Sequence, residues 1–246
     1  MAQAWDKASA HYLALRGGYG GAVSYGALAP DESELGLLGE LRGARVLDVG
    51  CGGGHNAVAC AQAGAHVTAL DLSARQLEAA RRLTAQHAPS IRFIQGDIGQ
   101  ETVGFEHEYG LVLATQVLAY VGDLANALAN CRKALGDAGR MVASVDHPLR
   151  ACFMDAETDE PAGVPLRSYF DETPLTWRFD AGTVMQARHL SLGGWLGAFE
   201  DAGLRVRRVL EPSVPTELAD ELWPLDSALA PLRLIPHTVI FVLTPD

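Results

Sequence analysis

The chain has 246 residues, 48% of them apolar and 20% charged, which fits one α/β domain with extra segments and a substantial buried core. Its formal net charge of −11 argues against a nonspecific grip on nucleic acid or anionic membrane, because phosphate contacts need clustered Lys and Arg. Cys51, Cys60, Cys131 and Cys152 form no C-x-x-C pair and no zinc-finger spacing, so they read as buried thiols and no metal site is expected. No apolar run reaches spanning length, and the opening MAQAWDKASAHY lacks an apolar segment behind a basic start. The expectation is a soluble cytoplasmic protein without a membrane partner, monomeric or homodimeric.

Residues 1–43 read as helical pieces broken by Gly17-Gly18, Gly20-Gly21 and Pro30. From Arg45 the pattern is regular. Val46 to Val49 is a buried-type strand. His55 to Gly64 is an Ala-rich helix with glycine at its end. His66 to Leu70 is a strand ending at Asp71, and Ser73 can cap the helix that runs to about His87. Ile91 to Ile94 and Tyr109 to Ala114 are further strands. Asp123 to Leu135 is a helix, and Arg140 to Val145 is the fifth strand. The alternation predicts a Rossmann-like doubly wound sheet of seven strands, mostly parallel. The rhythm breaks over 147–190, a stretch with Pro148, Pro161, Pro165 and Pro174 that reads as an insertion or lid. Ser191 to Ala202 is a helix, and Leu204 to Leu210 and Thr238 to Leu243 supply the last strands, the final one antiparallel. The predicted organisation is one domain over 1–246: a cap (1–43), a core (44–146), the insertion (147–190) and a C-terminal part (191–246).

The chemistry concentrates at Arg45-Val46-Leu47-Asp48-Val49-Gly50-Cys51-Gly52-Gly53-Gly54. A buried strand that enters a helix through such a turn exposes bare backbone to a ligand. A dinucleotide-binding G-x-G-x-x-G would need glycine where His55 stands. Asp48, before the turn, would repel a pyrophosphate and suits a cationic ligand. S-adenosylmethionine carries an ammonium and a sulfonium, so the acid favours it. Asp71, at the end of the second strand, can accept from two vicinal ribose hydroxyls.

The ordered series VLDVGCGGG, ALDLS, QGDI and LATQVLAYV resembles the motifs of class I S-adenosylmethionine-dependent methyltransferases. The small-molecule branch related to ubiquinone- and menaquinone-type methyltransferases is the nearer resemblance. Trp5 to Tyr12 is similar to that branch's Y-D-x-x-A-x-x-Y opening, and Ser144 to Leu149 to its S-V-E-H-P segment. Ser168 to Glu172 and Arg188 to Ser191 resemble further stretches of the branch. Gly53 stands where Thr or Ser is frequent.

The resemblance implies that Asp48, Gly50, Cys51 and Gly52 surround the methionine end of the cofactor. Asp71 would take the ribose, with Leu72 against the adenine. Asp97 and the Ile98 amide would meet the adenine edge. Gln116 would lie near the transferring methyl, and Tyr12 and Arg16 would close over the cofactor. The implied reaction is methyl transfer to a small-molecule O-, N- or C-nucleophile, leaving S-adenosylhomocysteine. An alternative is an enzyme of this fold that binds the cofactor but catalyses a non-methylating reaction such as cyclisation. A noncatalytic binding module is a further reading, against which the intact cofactor contacts speak.

Where the acceptor needs a base, histidine is poised for it near neutral pH. His147 follows the fifth strand at the ligand-binding edge and is the first candidate. His189 and His11 follow. The acceptor pocket is expected from aromatics outside the sheet, namely Trp5, Tyr12, Tyr19, Tyr25, Phe153, Tyr169, Phe170, Trp177 and Phe179. No N-P-P-Y or D-P-P-Y signature stands after the fourth strand, which reads Ala114-Thr115-Gln116-Val117.

Overall fold

The computed structural model describes residues 2–15, 21–87, 90–100, 105, 109–155, 158, 160–180 and 183–246, without the side chains of 10–15 and 178–180. Helix α1 (Ala2–Leu15) and the single turn α2 (Glu32–Leu35) precede the sheet. Asp31 caps α2, its carboxylate accepting from the Ser33 amide at 2.8 Å. Such a cap contributes about 1 kcal/mol. Strands and helices then alternate as β1 (Arg45–Val49), α3 (His55–Gln62), β2 (His66–Asp71), α4 (Ala74–His87) and β3 (Ile91–Gln95). Next come β4 (Tyr109–Thr115), a 3₁₀ turn at Leu118–Tyr120, α5 (Leu124–Ala134) and β5 (Leu135–Asp146). The chain continues through α6 (Pro148–Ala151), β6 (Leu175–Asp180), β7 (Thr183–Ala187), α7 (Leu192–Asp201), β8 (Leu204–Leu210), α8 (Thr216–Leu222) and β9 (Thr238–Pro245).

The main sheet has seven strands in the order β3-β2-β1-β4-β5-β9-β8. The strands β1 to β5 pair in parallel, and β9 runs antiparallel to both β5 and β8. This is the Rossmann-like sheet that the alternation predicts. The strands β1, β2 and β4 are apolar runs buried along nearly their whole length, because helices cover both faces. One face packs Leu128, Trp195, Phe199 and Phe241 into a continuous core under α5 and α7. The other packs Leu38, Cys60, Leu77 and Tyr25 under α3, α4 and the N-terminal loop. Full burial of each such side chain contributes about 1.5–3 kcal/mol.

The elements of the core fall within a residue or two of their predicted bounds, with one exception. The fifth strand starts at Leu135, directly after α5, rather than at Arg140. Leu135 already pairs with Tyr109, and the register shifts before Leu111 pairs with Arg140. The stretch 136–139, left between the predicted helix and strand, is the irregular first part of the strand. The insertion also holds an antiparallel hairpin, β6–β7, in which Thr183, Met185 and Ala187 turn inward. Among the described residues no helix is long and apolar enough to cross a membrane.

Candidate functional site

Chain order reverses at β1, which has β2 on one side and β4 on the other. At such a switch point the connections leave in opposite directions and open a crevice at the carboxyl ends of the strands. A cleft of about 450 Å³ lies there. Its floor is the glycine turn. Gly50 has φ +66°, and a Cβ on it would stand 2.3 Å from a methyl of Val117, so no side chain fits. Gly52 has φ +53°, yet a Cβ there would meet only Gln76 Oε1, at 3.9 Å. Its missing side chain therefore leaves open space at the cleft, a cradle for a ligand that approaches bare backbone.

The acids expected from sequence surround this cradle. Asp48 lies in β1 with 1% exposure and lines the cleft. Asp71, at the end of β2, accepts from the Gly52 amide through Oδ2 and from the Ser73 amide through Oδ1, each at 2.8 Å. Burial pushes its carboxyl up, and the Ser73 and Gly52 amides pull it back down. Each oxygen keeps a further lone pair for a donor from a ligand. Leu72, Asp97 and Ile98 line the same cleft. Asp97 Oδ1 accepts from the Gly99 amide at 2.9 Å, an Asx turn that fixes the loop after β3. Cys51 lines the cleft as a thiol, because burial and the Asp48 and Asp71 carboxylates push its pKa well up.

Gln116 follows β4 with φ +54°, a left-handed conformation strained for a side-chain-bearing residue. Its backbone amide donates to Ser144 at 2.8 Å and its Nε2 to the Tyr25 carbonyl at 3.0 Å. The same carbonyl accepts from Ser144 Oγ at 2.6 Å. Asn56 completes the stitching by pairing with the backbone of Ser24 and with Thr115 Oγ1. The N-terminal loop is thereby pinned beside the cleft.

Trp5 from α1, Tyr120 from the 3₁₀ turn and Trp177 from β6 converge on the other part of the cleft. The Trp5 and Tyr120 rings meet edge to face at 5.1 Å, and those of Tyr120 and Trp177 at 6.1 Å. Met154, Leu175 and Ala187 add apolar wall, while Arg150 lines it paired to Asp146 at 2.7 Å. The hairpin is held over the cleft where the Arg188 amide donates to Ala119 at 2.7 Å. The Arg188 guanidinium reaches the carbonyls of Val121 and Gly122.

Other expected residues lie away from this cleft or outside the described residues. His147 does not line the cleft. It caps α6, its Nδ1 accepting from the Leu149 amide at 3.0 Å, which leaves the proton on Nε2 to donate to Glu211 at 2.6 Å. Both ring nitrogens have partners within the protein. His189 donates through Nε2 to the Tyr169 carbonyl at 3.1 Å and is likewise outside the cleft. Tyr25 is a buried anchor whose hydroxyl donates to Glu32 at 2.5 Å. Phe153 packs near Trp223, and Phe170 is 83% exposed. The side chains of His11, Tyr12, Arg16, Tyr19 and Phe179 lie outside the described residues. Sequence reasoning missed Tyr120, Asn56 and Gln76. Tyr120 sits in LATQVLAYV, four residues past Gln116, and a turn there returns it to the strand end.

These residues fit S-adenosylmethionine. A buried carboxylate beside bare backbone suits the ammonium, and Asp71 suits vicinal hydroxyls. Comparison with known proteins agrees. A family profile described as "Methyltransferase domain" matches residues 46–139. The ubiquinone biosynthesis O-methyltransferase of Vibrio cholerae is 35% identical over 101 residues, which span 41% of this chain and 41% of that one. A solved chain of Listeria monocytogenes, assigned as an S-adenosylmethionine dependent methyltransferase, superposes with a TM-score of 0.69 at 26% identity. That match covers 87% of this chain and 97% of the other. An S-adenosylmethionine dependent methyltransferase of Mesorhizobium loti shares the fold, with a TM-score of 0.69 at 24% identity and coverage of 85% and 94%. Residues 46–139 thus match a methyltransferase domain, and across most of its length the chain is similar to S-adenosylmethionine-dependent methyltransferases.

Proposed function

We propose that this protein transfers a methyl group from S-adenosylmethionine to a small planar acceptor. One observation carries the reading: a single cleft joins the glycine cradle and its acids to the wall of Trp5, Tyr120 and Trp177. When bound, the cofactor supplies a methyl group already activated on sulfonium. The chain's task is to align and to exclude water. Asp48 holds the ammonium, and Gly50, Cys51 and Gly52 form the surface beneath it. Asp71 accepts from the ribose hydroxyls. Leu72, Asp97 and the Ile98 amide receive the adenine. Gln116 marks the passage to the acceptor part, where the rings orient a planar molecule for in-line attack. His147 and His189 hold the structure of the insertion.

Incubation with labelled S-adenosylmethionine and a panel of phenols, amines and heteroaromatics is expected to give a methylated product and S-adenosylhomocysteine in equal amounts. Cofactor binding with products that never carry the label would move the protein to the non-methylating alternative. Loss of both binding and transfer would remove the proposal.

A further inference from the structure

One residue of the N-terminal helix is wired to the cofactor cradle, and the function proposed above gives it no role. Asp6, next to Trp5 on α1, reaches across to the start of α4. Its Oδ1 accepts from Ser73 Oγ at 2.6 Å and from the Arg75 amide at 3.2 Å. Ser73 is completely buried. Its hydroxyl also accepts from the Gln76 amide at 3.1 Å, so the proton it gives to Asp6 has one direction to go. Its backbone amide donates to Asp71 Oδ1, and Asp71 Oδ2 accepts from Gly52. An unbroken chain of hydrogen bonds thus runs from α1 through Ser73 and Asp71 to the glycine turn. The Ser73 hydroxyl and amide protons stand between the Asp6 and Asp71 carboxylates, and each serves one of them.

α1 packs on α4 and β7, so Asp6 fastens the element that brings Trp5 to the cleft. A ligand lying on Gly52 and Asp71 meets α1 directly through Trp5 and indirectly through this chain. We infer that Asp6 is a positioning residue: its bond to Ser73 latches α1 over the cleft and couples closure of the aromatic wall to cofactor occupancy. The inference rests on the proposed cofactor site. Coupling of this kind is reciprocal, so the factor by which cofactor favours the docked helix equals the factor by which docking favours cofactor.

Lys7 is exposed on α1, and a protease can cut after it only when the helix lifts and unwinds. With the full chain, trypsin release of residues 1–7 is followed by intact-mass analysis with and without S-adenosylhomocysteine. Affinity is measured in parallel by calorimetry. In the wild type the ligand is expected to slow this cut by about 10-fold. Asp6→Ala and, independently, Ser73→Ala lose that protection, and their affinity falls by a similar factor. Asp6→Asn, which keeps an accepting oxygen, recovers part of both. Equal protection of wild type and Asp6→Ala would overturn the inference. So would wild-type affinity in Asp6→Ala, or affinity lost with protection intact. Absence of any ligand binding to the wild type would instead remove the cofactor site itself, and the latch with it.

Discussion

Asp71 carries two duties with one carboxylate. It ties the glycine turn to the start of α4 through the Gly52 and Ser73 amides, and its remaining lone pairs face the position proposed for the ribose. Hydrogen bonds to a charged group are worth about 1.5–3 kcal/mol each. Asp71→Ala is therefore expected to weaken S-adenosylhomocysteine binding by roughly 10- to 100-fold in a calorimetric titration; unchanged affinity would take Asp71 out of the site. Gly50 tests the floor differently. Gly50→Ala puts a methyl 2.3 Å from Val117 at a positive φ, and overpacking of this kind costs about 1–3 kcal/mol. Denaturant unfolding should show that loss, and a second change, Val117→Ala, should recover the steric part while leaving the backbone part. The acids and glycines were legible in sequence because a turn between buried strand and helix needs those residue types. Sequence order places His147 at the expected strand end, but only the structure shows that Leu149 and Glu211 decide where its ring points.

The elements of the core could be read from sequence because each buried strand is a short apolar run between punctuating residues, as Val46 to Val49 is between Arg45 and Gly50. The hairpin β6–β7 could not. Its alternation is visible only once Thr183, Met185 and Ala187 are known to face inward, and Pro174 just before it suggested irregular chain. Yet this hairpin delivers Trp177 to the cleft and is fastened to the 3₁₀ turn by Arg188. The aromatic wall is therefore a composite of α1, the turn after β4 and the hairpin, and none of them forms the cradle. Trp177→Ala should raise the KM of the acceptor found in the panel at least several-fold. The affinity for S-adenosylhomocysteine should stay within about two-fold, since loss of one aromatic contact acts on whichever ligand touches it. A fall in cofactor affinity with an unchanged acceptor KM would place Trp177 on the wrong ligand.

At the scale of the whole molecule, α6, α8 and the end of β8 meet around two buried histidines. His237 is 2% exposed and stacks on Trp223 at 4.3 Å, and its Nε2 donates to Leu232 at 2.7 Å. Its Nδ1 has no hydrogen-bond partner, so a second proton would be buried unpaired. Burial holds the pKa of His237 below its ordinary 6.5, as it does for His147, where Glu211 opposes the shift. A histidine with a depressed folded-state pKa binds fewer protons folded than unfolded. Its contribution is fully present above pH 6.5 and is lost as pH falls below that value. Asp71, raised by burial, takes up protons when folded and works in the opposite direction. The Tm should drop between about pH 7 and pH 5.5, and His237→Gln should make that drop shallower. A Tm equally steep in the variant would clear His237 of the effect.

The central claim is that the cradle at Gly52 and Asp71 receives S-adenosylmethionine. A calorimetric titration of the full chain with S-adenosylhomocysteine, which lacks the reactive methyl, tests it most directly. Saturable binding at one site per chain is expected, with a dissociation constant in the range of about 1–100 µM. Displacement by S-adenosylmethionine is also expected. A flat titration at millimolar ligand with folded protein would contradict the claim.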